Sequence, residues 1–285
     1  AALINSQPMG FYAPSQIVAD LKRHGVAVRP ADVCHSNWDC TLESTNDEPG
    51  RIALRLGLRL IKGLSQQAGE RIIAARHTRE FAQVADMVNR ARLGQRSRDA
   101  LARADALRGL AGNRHQAQWQ IAAARAHDDL FSGLDVPEPE VVLPQPQEGH
   151  DIVADYASTA LTLRRHPLAL LRAQLSRQGV LCARDFDALA DSRPAHVAGL
   201  VTIRQRPGSA KGTTFVTLED ETGSVNVVVH RDLLTRYRVA VTSARLLRVN
   251  GIMQRQGPVT HCVARHIVDD SARLGQLNVR SRDFH

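Results

Sequence analysis

An α+β chain of several domains, mainly helical through its first half and ending in a five-stranded barrel, is what these 285 residues predict. Apolar residues recur at helical spacing in successive stretches between Ser65 and residue 178. From residue 196 the texture changes to short runs rich in β-branched residues, set off by glycines. Charge then divides the chain, whose net value is +8. Residues 51–125 carry 15 Lys/Arg against 5 Asp/Glu, and residues 193–268 carry 11 against 4. Residues 128–150 between them carry no Lys or Arg and 6 acidic residues. Two polyanion-facing modules on a solvated connector have this pattern, and so do Arg-rich helix faces that merely meet water.

The first fifty residues alternate turn signals with short amphipathic pieces. Pro14-Ser15 followed by Ile17, Val18 and Leu21 predicts a helix capped near Ser15 and closed by Gly25. Val26 and Val28 predict a short strand ending at Pro30, while Thr41 to Gly50 reads as polar and turn-rich. From Ile52 the residues Leu54, Leu56, Leu58 and Leu60 alternate. Period two predicts a strand with one face packed and Arg51, Arg55 and Arg59 in water. It leads through Ile61-Lys62-Gly63-Leu64 to Ser65, which can cap a helix with Ala68, Ile72 and Ala75 on its apolar face and Ile73 beside it. Further helices are expected over Phe81–Ala91, Ser97–Ala104 and Arg114–Ala126, punctuated by Gly94, Gly109 and Gly112.

Pro137, Pro139, Pro144 and Pro146, set among acids and valines, predict an extended linker with little capacity to pack. Residues 151–178 are helical again, with Pro167 starting the second helix. Strands follow over His196–Arg204, Thr213–Glu219 and Val225–Val229, then a short helix over Asp232–Val239. Two last strands, Arg245–Gln254 and Val259–Val268, join through Gly257-Pro258. Five strands with a helix between the third and fourth is the order of an OB-fold barrel.

Several function classes are excluded or disfavoured by composition. No apolar run approaches the length of a membrane span. Aromatic content is 4%, too low for a grip made mainly by stacking bases on many rings. The chain opens Ala1-Ala2-Leu3 without an initiator Met or a leader, and so reads as a segment of something longer. Cys34, Cys40, Cys182 and Cys262 read as reduced thiols of a cytoplasmic protein. Cys34-His35 with Cys40 has no second pair at a matching spacing, which argues against zinc. Trp38 beside them reads as a packing anchor. No paired carboxylates suited to holding two catalytic metal ions stand out, and Glu219-Asp220-Glu221 reads as a turn.

The residues "NSQPMGFYAPSQIVADLKRHGVAVRPADV" (5–33) and "SNWDCTLE" (36–43) resemble the end of the fingers region of bacterial C-family replicative and error-prone DNA polymerases. "LRLGLRLIKGLS" (54–65) is similar to the start of their helix-hairpin-helix region, "DIVADYASTALTLRRHPLALLR" (151–172) to their connector, and "VAGLVTIRQRPGSAKGTTFVTLEDETGSVNVVV" (197–229) to their OB domain. The likeness runs along nearly the whole chain in family order. It implies fingers end over 1–50, helix-hairpin-helix region over 51–127, acidic linker over 128–150, helical connector over 151–192, OB-fold over 193–270 and tail over 271–285. The short tail, ending in Arg280-Ser281-Arg282-Asp283-Phe284-His285, favours the error-prone, translesion branch. Three departures stand out. Ser65 occupies the place of the hairpin's usual second glycine, and Asp105 that of a helix-ending glycine. Gly69 stands where the family often has Ala.

What the resemblance implies is a non-catalytic, DNA-binding segment of a polymerase whose palm lies upstream of residue 1, where Mg2+ would be bound. The segment would hold primer–template duplex and template single strand. At Lys62-Gly63-Leu64-Ser65 a glycine turn and a helix start let backbone amides meet a phosphate without reading bases, and Arg71 adds charge. In the barrel, Arg204, Arg206 and Lys211 lie by the first turn, with Phe215 on the adjacent strand and His230 and Arg231 after the third. Phe215 in the barrel core is the more ordinary expectation. The Arg-rich helices (Arg90, Arg92, Arg96, Arg98, Arg103, Arg108, Arg114) mix solvated side chains with some that touch DNA. The implied partners are an accessory protein related to Y-family polymerases and, through it, the sliding clamp. Gln276-Leu277-Asn278-Val279 starts like a clamp peptide but lacks the closing aromatic pair. The competing reading is a scaffold whose OB-fold and tail dock partner proteins.

Overall fold

The computed structural model describes residues 1–7, 13–45, 50–126, 141–208 and 212–276. They divide into two compact units, Ala1–Arg164 and Arg165–His285, each with its own core.

In the first unit, α1 (Ala2–Asn5) and α2 (Pro14–Arg23) precede a small sheet. Helix α2 begins at Pro14, one residue before the predicted cap, because the Ala13 N–H donates to Gln16 Oε1 at 3.0 Å and proline tolerates the first helical position. Strands β1 (Ala27–Arg29), β2 (Thr41–Ser44) and β3 (Ile52–Arg55) pair in the order β1-β3-β2. Two expectations need correcting here. Thr41–Ser44 is a strand, antiparallel to β3, and not part of a turn-rich stretch. The alternation from Ile52 does not make one long half-wet strand. Strand β3 ends at Arg55, and Leu58–Leu60 form a single 3-10 turn. As the central strand, β3 is buried on both faces, and Arg55 is 7% exposed. Its guanidinium donates to Glu43 Oε1 at 2.9 Å and to Pro30 O at 3.0 Å, while Arg29 reaches Glu43 Oε2 at 2.8 Å. These hydrogen bonds, from Arg55 foremost, hold the Glu43 carboxyl below its ordinary pKa.

Helices α3 (Gln66–Thr78), α4 (Val84–Arg90), α5 (Gln95–Arg103), α6 (Arg108–Ala111), α7 (Arg114–Ala126) and α8 (Glu148–Thr159) complete the unit. Helix α4 begins three residues later than its apolar run, since Phe81 is buried ahead of it with the Arg90 guanidinium 5.1 Å from its ring centre. The core gathers Leu58, Ile61, Ile72, Met87, Leu101 and Ile121, each worth about 1.5–3 kcal/mol on burial. The expected linker falls partly outside the described residues, at 127–140. Its last part is held: Gln116 donates to Val141 O at 2.8 Å and accepts from the Leu143 N–H at 3.0 Å.

The second unit opens with α9 (Pro167–Arg177), capped by His166, and α10 (Ala183–Asp187). Strands β4 (Pro194–Gln205), β5 (Thr214–Glu219), β6 (Ser224–Val229), β7 (Leu246–Gln256) and β8 (Val259–Asp269) close a barrel in the order β4-β5-β6-β8-β7. Within the barrel β6 and β8 pair in parallel, and β7 returns to β4. That is the five-stranded order expected. Val197, Val216, Val227, Val249 and Met253 fill the interior. Between β6 and β7 the single predicted helix is two, α11 (Arg231–Arg236) and α12 (Arg238–Ser243), meeting at Tyr237, and α13 (Ala272–Gln276) follows β8. Asp220 organises the β5–β6 turn as expected, accepting from the N–H groups of Thr222 and Gly223 at 2.7 and 3.1 Å and pairing with Arg172 at 3.1 Å.

Candidate nucleic-acid interface

The hairpin of the first unit is built as its residue types require. Gly63 sits at φ +90°, a left-handed backbone that side chains resist, and is exposed. Leu64 is buried beneath it, and the Ser65 hydroxyl accepts from the Ala68 N–H at 3.2 Å, capping the thirteen-residue α3. A Cβ on Gly63 would lie 3.9 Å from Arg96 Nε, so the start of α5 brings a guanidinium to the hairpin. Arg96 is exposed, and its side chain has no hydrogen bond or ion pair among the described residues. Lys62 is directed otherwise. Its N–H donates to Ser158 O at 2.8 Å, and Nζ donates to Tyr156 O and Ala157 O at 3.3 and 3.2 Å. It thus caps the carbonyl end of α8, where the helix dipole favours a cation.

Many arginines of this unit face carbonyls. Arg71 donates to Ala91 O at 2.9 Å, closing α4. Arg76 donates to Val33 O and Ser36 O at 2.9 Å each, Arg90 to Arg79 O at 2.8 Å, and Arg98 to Leu93 O at 2.6 Å. Arg114, 4% exposed, pairs with Asp151 and Asp155, and Arg164 joins Asp151 and Asp105 at 2.9 Å each. Asp105 adopts φ +57° at the glycine-like position, and burial pushes its carboxyl pKa up. The basic block is therefore neither solvated nor free as a whole. Arg92 and Arg96 are exposed without partners among the described residues, and Arg103 and Arg108 are exposed with local contacts only.

In the barrel unit, the end of β4, the start of β5 and helices α11 and α12 enclose a cavity of about 600 Å3. Arg204, Arg206, Arg231 and Arg238 line it, and among the described residues no carboxylate does. Arg204 is tied down, donating through Nε to Val241 O at 2.7 Å and also to Ala244 O, at the carbonyl end of α12. Burial holds its pKa below the ordinary arginine value. Arg206, Arg231 and Arg238 make no side-chain hydrogen bond or ion pair among the described residues. Thr214, 6% exposed, also lines the cavity, and its hydroxyl has no partner among the described residues. Leu234 and Val241 supply an apolar floor.

Of the residues expected at the barrel, the cavity unites Arg204, Arg206 and Arg231. His230 is exposed outside its lining, and Lys211 lies outside the described residues. Phe215 is not in the core. Thr214, Val216 and Leu218 alternate inward, leaving Phe215 half-buried on the outer face, paired with Gln205 and Val228. Arg238 and Thr214 were not anticipated. Arg238 was legible, because it stands seven residues after Arg231 with Leu234 and Val241 at helical spacing. Nothing in the sequence marks Thr214.

Cys34 and Cys40 are free, the first with its thiol pushed up to about 11 by burial and by Asp32, the second accepting from the Gly57 N–H at 3.2 Å. Among the described residues no three His, Cys, Asp or Glu side chains are placed to hold a metal ion, and no helix is long and apolar enough to cross a membrane.

Residues 25–117 match a helix-hairpin-helix motif family. Along its whole length the chain is also similar to proteins described as error-prone DNA polymerase. That of Alkalilimnicola ehrlichii is 53% identical over 284 residues, 100% of this chain and 28% of the relative. That of Aromatoleum aromaticum is 51% identical, over 99% and 26%. That of Pseudomonas fluorescens is 49% identical, over 99% and 28%. The chain spans about a quarter of the length of these relatives.

Proposed function

Because the chain belongs to the error-prone DNA polymerases along its whole length, we propose that it holds the nucleic acid on which such a polymerase acts in translesion synthesis. The first unit would grip primer–template duplex through the hairpin, and the barrel would receive template single strand. The observation that carries this reading is the hairpin: Gly63 at φ +90°, a capped helix start and the unpartnered Arg96 beside it, inside the matched helix-hairpin-helix region. Backbone amides and one guanidinium bind a phosphate whatever the base, as a polymerase requires.

Lys62 and Arg71 enter this reading as positioning residues, because their donors already meet carbonyls, and Arg96 as the contact. Arg204, Arg206, Arg231 and, on the outer face, Phe215 would serve the single strand, with Lys211 and His230 near them. Bond-making, and the Mg2+ that supports it, would belong to the rest of the polymerase. So would contacts with an accessory protein related to Y-family polymerases and, through it, the clamp. A cytoplasmic setting follows from the same reading.

Duplex binding measured against salt tests this. Affinity is expected to fall steeply as salt rises, and Arg96→Gln to weaken binding to all sequences alike and to reduce the logarithmic salt slope by about 1. A chain that ignores both duplex and single strand at low salt would instead be a scaffold.

A further inference from the structure

The cavity of the barrel unit gathers arginine side chains. Some arginines of that unit meet acids: Arg172 pairs with Asp220 and Glu221, and Arg248 and Arg273 both pair with Asp270. Around the cavity stand four arginines, and among the described residues no acid lines it. Like charges repel, and Leu234 and Val241 give these exposed side chains an apolar wall. A cluster of this kind is stabilised by an anion between its members. Beside the cavity the Thr214 hydroxyl is buried without a partner among the described residues.

We propose that this cavity binds a phosphate group carrying about two negative charges, either the 5′-terminal monoester of a strand or a pyrophosphate-type group. Arg206, Arg231 and Arg238 supply the charge. Arg204, fixed by its two carbonyls, holds one wall and gives the site a rigid edge. Three uncommitted guanidinium groups exceed what a single-charged internal phosphodiester neutralises and suit a doubly charged terminus. Charge and fixed donors, not the outer-face side chains of β5, then decide what enters. The inference rests on the polynucleotide reading of the barrel only in choosing phosphate among anions.

The test uses the whole chain at fixed ionic strength. Short single strands bearing a 5′-phosphate or a 5′-hydroxyl are compared by affinity, and inorganic pyrophosphate is titrated alone while thermal unfolding is followed. The 5′-phosphorylated strand is expected to bind about tenfold tighter, with pyrophosphate raising the Tm. Arg238→Gln should abolish the preference and the Tm response, and Arg206→Gln should shrink both several-fold, each variant remaining folded without ligand. A Tm response with equal strand affinities assigns the site to a free polyphosphate group. Equal affinities and no Tm response overturn the cavity proposal and leave DNA binding standing. Pyrophosphate binding without strand binding does the reverse, and loss of every response removes both.

Discussion

At the scale of single residues, Gly69 lies against the indole of Trp38, and a Cβ there would stand 2.6 Å from Cε3. The close approach explains why glycine holds this place, and it makes Trp38 the packing anchor its neighbours suggested. Gly69→Ala would gain helix propensity in α3 but must displace a ring wedged in the core. It is expected to cost about 1–3 kcal/mol, read from denaturant unfolding. A neutral or stabilising result would mean that the indole can move away freely. Trp38 was legible as an anchor, whereas its partner was not, because Gly69 lies thirty-one residues further along a different element.

Elements were legible where period and punctuation agreed. The barrel strands alternate in and out, glycines mark their turns, and each begins and ends within a few residues of expectation. Strand β3 misled because central strands lose the wet face on which a period-two reading depends, so that Arg55 is buried with Glu43. Helix α9 shows a cap with a pH dependence. His166 Nδ1 accepts from the Leu168 N–H at 3.2 Å, which needs a neutral ring, and burial lowers its pKa. A lowered folded pKa means that the stabilisation is present above the ordinary histidine value of 6.5 and is lost as pH falls below it. The barrel unit should therefore melt earlier at pH 5 than at pH 8. His166→Asn, another good cap, should flatten that difference, as thermal scans at the two pH values can establish. An undiminished pH dependence in the variant would place its origin elsewhere.

At the scale of the whole molecule, two cores mean two folding units. The fragment 165–285 alone is expected to keep its β-sheet signature and unfold in one cooperative transition, because its barrel closes through its own strands. A fragment that is unfolded or aggregates would tie its stability to residues before 165. Charge blocks announced two basic modules, but charge counts cannot tell an arginine serving a backbone carbonyl from one awaiting a phosphate, and only folding separates Arg76 and Arg90 from Arg96. That division of labour has a practical side. Guanidinium groups seated on half-buried helix ends lie where mobile ions reach poorly, whereas exposed ones are shielded within a Debye length of about 3 Å at 1 M. A concentrated salt wash should thus strip adhering polynucleotide during purification and leave the helices intact.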